Sequence, residues 1–529
     1  MSLLKSNLIV AAGTACSRIS GLLRTFVFLY VLGQTALTDA YLIANETPNI
    51  VYDLLLGGVL SATLVPLFTQ LMQADADGDG VRDTNVVITV AVTLMAALTA
   101  VAMLAAPLIF RLYTLNVGDD VDVALFRQVG TTLTRIFLLQ ILFYGLTGIA
   151  NAYLNSRRRF FAAAWSPVLP NLIIVATLLT LPGAGEREYQ LADVVTDSRV
   201  RLTLGLGATL GIAAMALTVV PATLAAGLRF RPQFEFRHPA VRKLLVLSGW
   251  TIGFVVANQV ALLVVRNLAL GRGEGIAASY FSAFTWFVLP HGLLAVSIAT
   301  TFQPELARAV RARDKPAFTR QSALGVRMIA FLTFPAAAGL IALAEPIIGL
   351  MQRGQFDPDD RANTARALIG LAVGLVGFSV YLFALRGFYA HQDTRTPFVL
   401  NVFENLLNIV LAVVFVSWWG VLGLGLAYGI AYLVAAVWAL KVLSYKVPGF
   451  PLGDLASSGW RMLLAAVLMV EAIWFVTHSV DDDAGWPGLA QIVVGGVVGL
   501  TVYAAVLLLL QSREVAELRN LLNRRRQPT

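Results

Sequence analysis

The chain has 529 residues, 58% of them hydrophobic and only 13% charged, with a mean hydropathy of +0.75 and a formal net charge of +8. No soluble domain of this length has such a composition. The basic excess is spread over many loops, which excludes a nucleic-acid interface in favour of membrane topology and anionic headgroups, and a single cysteine, Cys16, excludes an internal disulfide.

A bilayer core of about 30 Å takes roughly 20 apolar residues per helix. On that template the chain divides into about fourteen spans, near 8–33, 37–72, 84–113, 127–153, 161–182, 202–228, 243–268, 276–302, 321–345, 362–389, 397–418, 420–442, 459–479 and 487–511. The first stretch is too long for a cleavable signal peptide and lacks a small-residue cleavage site. The second is long enough to bend at Pro48, Gly57, Gly58 or Pro66.

Most of the 39 basic residues fall in the termini and the even-numbered loops. Examples are Arg157-Arg158-Arg159, the group Arg229, Arg231, Arg237, Arg242 and Lys243, and the group Arg308, Arg311, Arg313 and Lys315. Arg524-Arg525-Arg526 close the chain. Cytoplasmic loops retain positive charge, so both termini are expected in the cytoplasm.

Two loops repeat. Asn151-Ala-Tyr153-Leu-Asn155-Ser-Arg157, leading to Asn171-Leu-Ile-Ile-Val175, matches Gly387-Phe-Tyr389-Ala-His391-Gln-Asp393-Thr-Arg395, leading to Asn405-Leu-Leu-Asn-Ile-Val410. An offset of six spans keeps both halves in the same orientation, a parallel repeat. The expected architecture is an all-α polytopic membrane protein with a central cavity between two six-helix lobes, residues 1–230 and 231–445. Two additional spans and a basic tail fill 446–529.

Signals for chemistry are absent. Gly205-Leu-Gly207 with Gly211, and Gly423-Leu-Gly425 with Gly429, lie in apolar helices with no preceding strand, where small residues serve close packing. Asp75-Ala-Asp77-Gly-Asp79-Gly80 begins like a calcium loop, but Val86 stands where the bidentate Glu belongs. His238, His291, His391 and His478 have no metal-ligand spacing. No nucleophile with a base and no phosphate-binding loop is found. The expectation is a non-enzyme without a cofactor.

What remains is an inventory of polar groups inside spans. Arg18 and Arg24 lie in the first, where a guanidinium costs about 2.5–3.5 kcal/mol unless it meets an anion or a watery cavity. Asp39, Glu46 and Asp53 on the second are spaced by seven, which puts them on nearly one face. Simple pairing of these acids with the arginines is one reading, and a pathway for a charged cargo is the other. Arg135 and Arg266 add charge near their spans or snorkel to an interface. On the eleventh span Glu404 stands with Asn401, Asn405 and Asn408, a cluster that suits either a cation or hydrogen bonds between helices.

Ser17-Arg18-Ile-Ser-Gly21-Leu-Leu-Arg24, with Asn7, Thr38-Asp39-Ala40-Tyr41, Pro48-Asn49 and Val65-Pro66, resembles the first two helices of the MurJ (MviN) lipid II flippases. The likeness continues in Leu289-Pro290-His291-Gly292 with Val296-Ser297-Ile298, in Arg353-Gly354-Gln355-Phe356, and above all in the stretch from Gly387 to Pro397.

The resemblance implies two six-helix lobes plus two extra helices, within the multidrug/oligosaccharidyl-lipid/polysaccharide exporter superfamily. It implies alternating access that moves an undecaprenyl-diphosphate-linked peptidoglycan precursor to the outer leaflet of a bacterial cytoplasmic membrane. It also implies that Arg18 and Arg24 bind the diphosphate and that the last two helices form a groove for the lipid tail. Partners implied are lipid II or a related glycan lipid, the bilayer and cell-wall synthesis proteins, with no nucleic acid. Asn49 and Arg266 join the arginines as substrate-binding candidates, and Asp39, Glu46 and Asp53 are candidates for gating or exchanging ion pairs.

Departures from the family pattern make the cavity less positive. Tyr52, Asp53 and Gly57 follow Pro48-Asn49 where one or two arginines and then a glutamate are usual, Thr285 aligns with a cavity arginine, and Glu46 takes an often basic position. Coupling to a cation, a proton or membrane potential is left open. Alternatives are a flippase for another polyprenyl-diphosphate-linked glycan, or a cation-coupled drug antiporter of the same superfamily. A third is a membrane enzyme acting on polyprenyl phosphates, which the short loops disfavour.

Overall fold

A computed structural model describes residues 3–52, 64, 68–69, 79–157, 159–235, 249–477 and 484–512. Asp53, His238, His478 and nearly all of the acidic loop from Asp75 lie outside them. Eleven described helices are long and apolar enough to cross a membrane, and a twelfth is the bent pair Pro358–Val373 and Leu375–Ala390. Arg395–Lys446 has 52 residues, about 78 Å of helix and far more than one bilayer core, and it breaks at Gly420, whose φ of 56° lies in the left-handed region. Dividing that helix in two and adding Ala36–Tyr52 gives the fourteen spans expected.

Helix starts follow local chemistry. Asp122 accepts from the backbone N–H of Ala124 and Leu125 at 2.9 and 3.1 Å to open Val123–Leu138. Asp357 caps Pro358–Val373, with proline in the first turn where its missing N–H costs nothing. Inside the spans, hydroxyls satisfy themselves on their own helix, as Thr47 does on the Ile43 carbonyl at 2.8 Å and Thr333 on that of Ile329 at 2.8 Å. Large apolar side chains such as Leu104, Phe475 and Leu509 are exposed, as lipid-facing positions require.

Contacts group the chain into two compact units. One is Met1–Ala278 with Arg353–Phe356, and the other is Ser279–Gln352 with Asp357–Thr529. In the first, Leu3–Leu32 packs on Phe161–Trp165 and Val168–Leu179. The approach needs a glycine, because a Cβ on Gly13 would come within 2.7 Å of the Ala164 carbonyl oxygen. Gly33, with φ 62°, lets the chain turn beside Gln355, whose N–H donates to the Tyr30 carbonyl at 3.0 Å. The seventh-span helix Gly249–Leu270 also belongs to this unit.

In the second unit, Pro358–Val373 and Leu375–Ala390 pack on Arg395–Lys446 backbone to backbone, through Gly370, Gly374 and Gly377 against Gly425, Gly429 and Leu433. Lys315–Ala342 packs on Leu452–Thr477, which in turn packs on Gly485–Leu509. Met462, Met469, Ile473, Tyr503 and Leu507 form that core, and the Tyr503 hydroxyl donates to the Phe331 carbonyl at 3.1 Å.

Candidate functional site

In the first unit the site begins with the bond that orients the first span. Asn171 donates to Ser20 Oγ at 3.0 Å and to the Ser17 carbonyl at 3.3 Å, which fixes the face of Leu3–Leu32 that meets Val168–Leu179. Arg18 is left exposed and Arg24 half-buried. Arg24 lies within electrostatic range of the Tyr41 phenol on the second span, whose ring packs on Phe28 and Phe137 at 5.0 and 5.2 Å. Neither arginine has a carboxylate within ion-pair distance among the described residues.

The acids of the second span are engaged elsewhere. Asp39 is buried and accepts from the N–H of Gly275 at 3.0 Å and of Ala278 at 2.7 Å, so it caps Ile276–Pro290. Glu46 forms an ion pair with Arg266. Arg266 is the largest fully buried side chain among the described residues, and its guanidinium also lies 5.3 Å from the centre of the Tyr113 ring. Arg266, expected beside the substrate arginines, is thus turned into protein in this conformation. Asn49, one turn beyond Glu46, is partly exposed.

Three residues that sequence reasoning passed over complete this region. Glu274 Oε1 accepts from the Ala36 N–H at 2.7 Å and caps Ala36–Tyr52, while the Glu274 N–H donates to Asp120 Oδ2 at 2.9 Å. The caps are reciprocal: the second span starts on an acid beside the eighth, and the eighth starts on an acid of the second. Asn267, next to Arg266, accepts from the N–H of Leu115 and Asn116 at 2.6 and 3.0 Å and donates to the Leu112 carbonyl at 3.1 Å. Glycines at 271, 273 and 275 are a local mark of a turn, but nothing local names partners more than 150 residues away.

The second unit holds the other charge. Glu404 is buried with Asn401, Asn405 and Asn408 on one face of Arg395–Lys446. The phenols of Tyr280, Tyr381, Tyr428 and Tyr432 all lie in its electrostatic range. No Lys or Arg among the described residues pairs with it. The same aromatic cluster continues through Phe378, 4.9 Å from Tyr432, to His291, whose Nδ1 lies 3.0 Å from Ser379 Oγ. His291 opens a π-helical turn, His291–Ala295, that follows Pro290.

Outside the spans, Asp393 ties two helix ends together. It accepts from the Thr396 N–H at 3.0 Å and the Thr396 hydroxyl at 2.6 Å, and pairs with Lys446. Burial works to raise its carboxyl, but these hydrogen bonds and the Lys446 charge outweigh it and hold the group down at about 2.

Ionisable groups set within a polytopic helical bundle are the build of a membrane transporter for a charged cargo. The fold is a known one: a structure titled "Lipid II flippase MurJ, inward closed conformation" superposes with a TM-score of 0.76 at 23% identity, over 95% of this chain and 99% of that one. An inward-facing multidrug resistance MATE family transporter gives 0.63 at 14% identity, over 82% and 95%. The family model for lipid II flippase MurJ matches residues 28–493, and the chain belongs to that family. Relatives include a probable lipid II flippase MurJ of Vibrio cholerae, 27% identical over 97% of both chains, and one of Rhizobium meliloti, 30% identical over 90% of this chain and 86% of the relative. The lipid II flippase MurJ of Burkholderia cenocepacia is 28% identical over 81% of each.

Proposed function

We propose that this protein moves lipid II, an undecaprenyl-diphosphate-linked peptidoglycan precursor, from the inner to the outer leaflet of the bacterial cytoplasmic membrane by alternating access. Both termini lie in the cytoplasm in this reading, cell-wall synthesis proteins receive the product, and no bond is made or broken. Family membership supports it, and one observation carries it: Arg18 and Arg24 stand inside the first span with no carboxylate partner among the described residues. A guanidinium fork matches diphosphate oxygens bidentately, and a site shielded from water strengthens the contact. Asn49 is a further candidate contact on the neighbouring span.

The test is depletion of the protein in its host, followed by an assay of which leaflet holds lipid II, with wild type, Arg18→Ala and Arg24→Ala supplied back. Inner-leaflet accumulation rescued by wild type alone supports the reading. Normal lipid II distribution on depletion sinks it and favours another lipid-linked glycan.

A second element of the reading is coupling. Glu404 and its asparagines form a buried acceptor cluster that suits a cation or a proton, and we infer that the cycle draws on an ion gradient or membrane potential there. A drug antiporter would depend on this cluster and be indifferent to the arginines.

A further inference from the structure

The ends of three spans in the first unit enclose a small pocket of about 30 Å³. Asp79–Leu112 supplies Gly80 and Thr84, the end of Gln140–Ser156 supplies Tyr153 with Arg157 just beyond it, and the segment after Ser198–Ala225 supplies Arg229. That segment is pinned along Asp79–Leu112. Asn85 donates to the Arg229 carbonyl at 3.1 Å and accepts from the Arg231 N–H at 3.1 Å, and Thr89 accepts from the Gln233 N–H at 3.0 Å. Two arginines from separate elements thus line one pocket.

Nothing in the pocket answers their charge. No carboxylate among the described residues lines it, and Glu235, on the same segment as Arg229, pairs with Arg82. Arg157 donates to the Tyr153 hydroxyl at 3.2 Å and lies 5.5 Å from the centre of that ring. Tyr153 is only 3% exposed, and its hydroxyl, an acceptor here, donates to no group among the described residues. A buried phenol proton without an acceptor and two cations without an anion are complementary to one ligand, an anion that accepts hydrogen bonds.

The internal repeat shows the same place filled. In the second unit the ends of the tenth and twelfth spans are tied by Asp393, which accepts from Thr396 and pairs with Lys446. Asp393 is the repeat counterpart of Arg157, since it follows Tyr389 by four residues as Arg157 follows Tyr153. One unit carries its own anion between span ends, and the other carries a cation in that position.

We propose that the ends of the fourth and sixth spans form a binding site for a phosphate monoester group, held by Arg157, Arg229 and the Tyr153 hydroxyl. A phosphomonoester has nearly two negative charges at neutral pH and three free oxygens, which match two guanidinium groups and a phenol, whereas a diester has one charge and two free oxygens. The volume agrees: one water needs about 10–15 Å³, so the pocket takes the oxygens of one tetrahedral group and excludes a nucleoside. The group belongs to a lipid headgroup or to a soluble phosphate. No residue of the first span lines the pocket, and the inference stands apart from the flippase reading.

The test uses the full-length protein in detergent, as wild type and as Arg18→Ala/Arg24→Ala, so that anion binding at the first span is subtracted. Inorganic phosphate is titrated at constant ionic strength and read by phosphorus NMR line broadening. Short-chain phosphatidic acid, a monoester, and short-chain phosphatidylglycerol, a diester, serve as competitors. Saturable phosphate binding is expected in both proteins. Adding Arg157→Gln/Arg229→Gln should weaken it about tenfold or more, and Tyr153→Phe, which removes one hydroxyl, about three- to tenfold. Both arginines are exposed, so melting should not move. Displacement by phosphatidic acid alone assigns the site to a lipid headgroup, and displacement by neither lipid assigns it to a soluble phosphate. Absence of saturable binding overturns the proposal, as does equal displacement by the diester. Equal weakening by Arg311→Gln/Arg313→Gln, exposed in the second unit, reduces the effect to diffuse surface charge and also overturns it. Binding that emerges only in Asp75→Asn/Asp77→Asn/Asp79→Asn shows that the chain's own acids fill the pocket, with the same consequence.

Discussion

Asn171 in the first unit and Asn405 in the second occupy the same place in the internal repeat and make the same bond, each donating to the carbonyl four residues back, Pro167 at 3.3 Å and Asn401 at 2.9 Å. Around that shared frame the side chains diverge. Where the first unit has Pro167, Pro170 and Ile174, the second has Asn401, Glu404 and Asn408. The prolines remove backbone donors, and the helix breaks after Trp165 and resumes at Val168. In the second unit Pro397 falls in the first turn, where it is harmless, and the helix runs unbroken to Gly420. The first unit carries its two cations without an ion-pair partner among the described residues on its first span, as Arg18 and Arg24, whereas the second carries a buried acid on the repeated helix itself, as Glu404. A common frame places helices, and in the function proposed here substitutions on it divide anion handling from ion coupling.

That division is broken most directly by removing the arginines. Arg18→Ala with Arg24→Ala is expected to lower lipid II flipping in proteoliposomes by about two orders of magnitude or more, because in the proposed function each removes charged hydrogen bonds to phosphate. Melting should barely move, since neither arginine pairs with an acid among the described residues. A large fall in melting temperature would make them structural instead.

Arg266 should behave in the opposite way. Arg266→Ala empties a fully buried site beside the half-open Glu46 carboxylate and is expected to cost about 2–5 kcal/mol of stability, mostly for the buried volume removed. Glu46→Leu/Arg266→Met should restore most of it. Denaturant unfolding in detergent reads both, and a mild Arg266→Ala would mean that water already reaches the pair.

Glu404→Gln sharpens the comparison from the other side. Flipping driven by an ion gradient should fall about tenfold, while binding of lipid II, measured without a gradient, should stay within about twofold. Equal losses in both would place Glu404 in cargo binding.

The smallest effect is expected at Asp393. Its carboxyl, held at about 2 against an ordinary 3.8, contributes stability that is fully present above pH 3.8 and is lost as pH falls through about 2. Asp393→Asn should melt about 1–2 °C below wild type near pH 6, with the gap closing toward pH 2. A gap independent of pH would assign the effect to lost capping of Thr396 rather than to charge.

Much of this was legible in the sequence. The spans, the repeat and the packing role of Gly425 and Gly429 follow from hydropathy and small-residue spacing, which are local properties of the chain. The presence of Arg18, Arg24 and Glu404 inside spans is visible in the same way. What those groups face is not, because the rotation of a helix about its axis is set by neighbours distant in sequence. Glu46 was legible as an ion-pair candidate, but its partner became Arg266 rather than Arg18 or Arg24 once Gly249–Leu270 packed within the first unit. Asp39 stood on an acidic stripe, yet its carboxylate closes on the N–H groups of Gly275 and Ala278, 236 and 239 residues away. Glu274, in a glycine-rich turn with no sequence signal of function, returns the cap to Ala36 at a separation of 238. The sequence by itself determined which helices cross the membrane and which charges travel with them, since both are paid in solvation free energy residue by residue. Only the tertiary structure decided which of those charges neutralise one another and which stay open, because pairing depends on the meeting of helices whose sequences say nothing of each other.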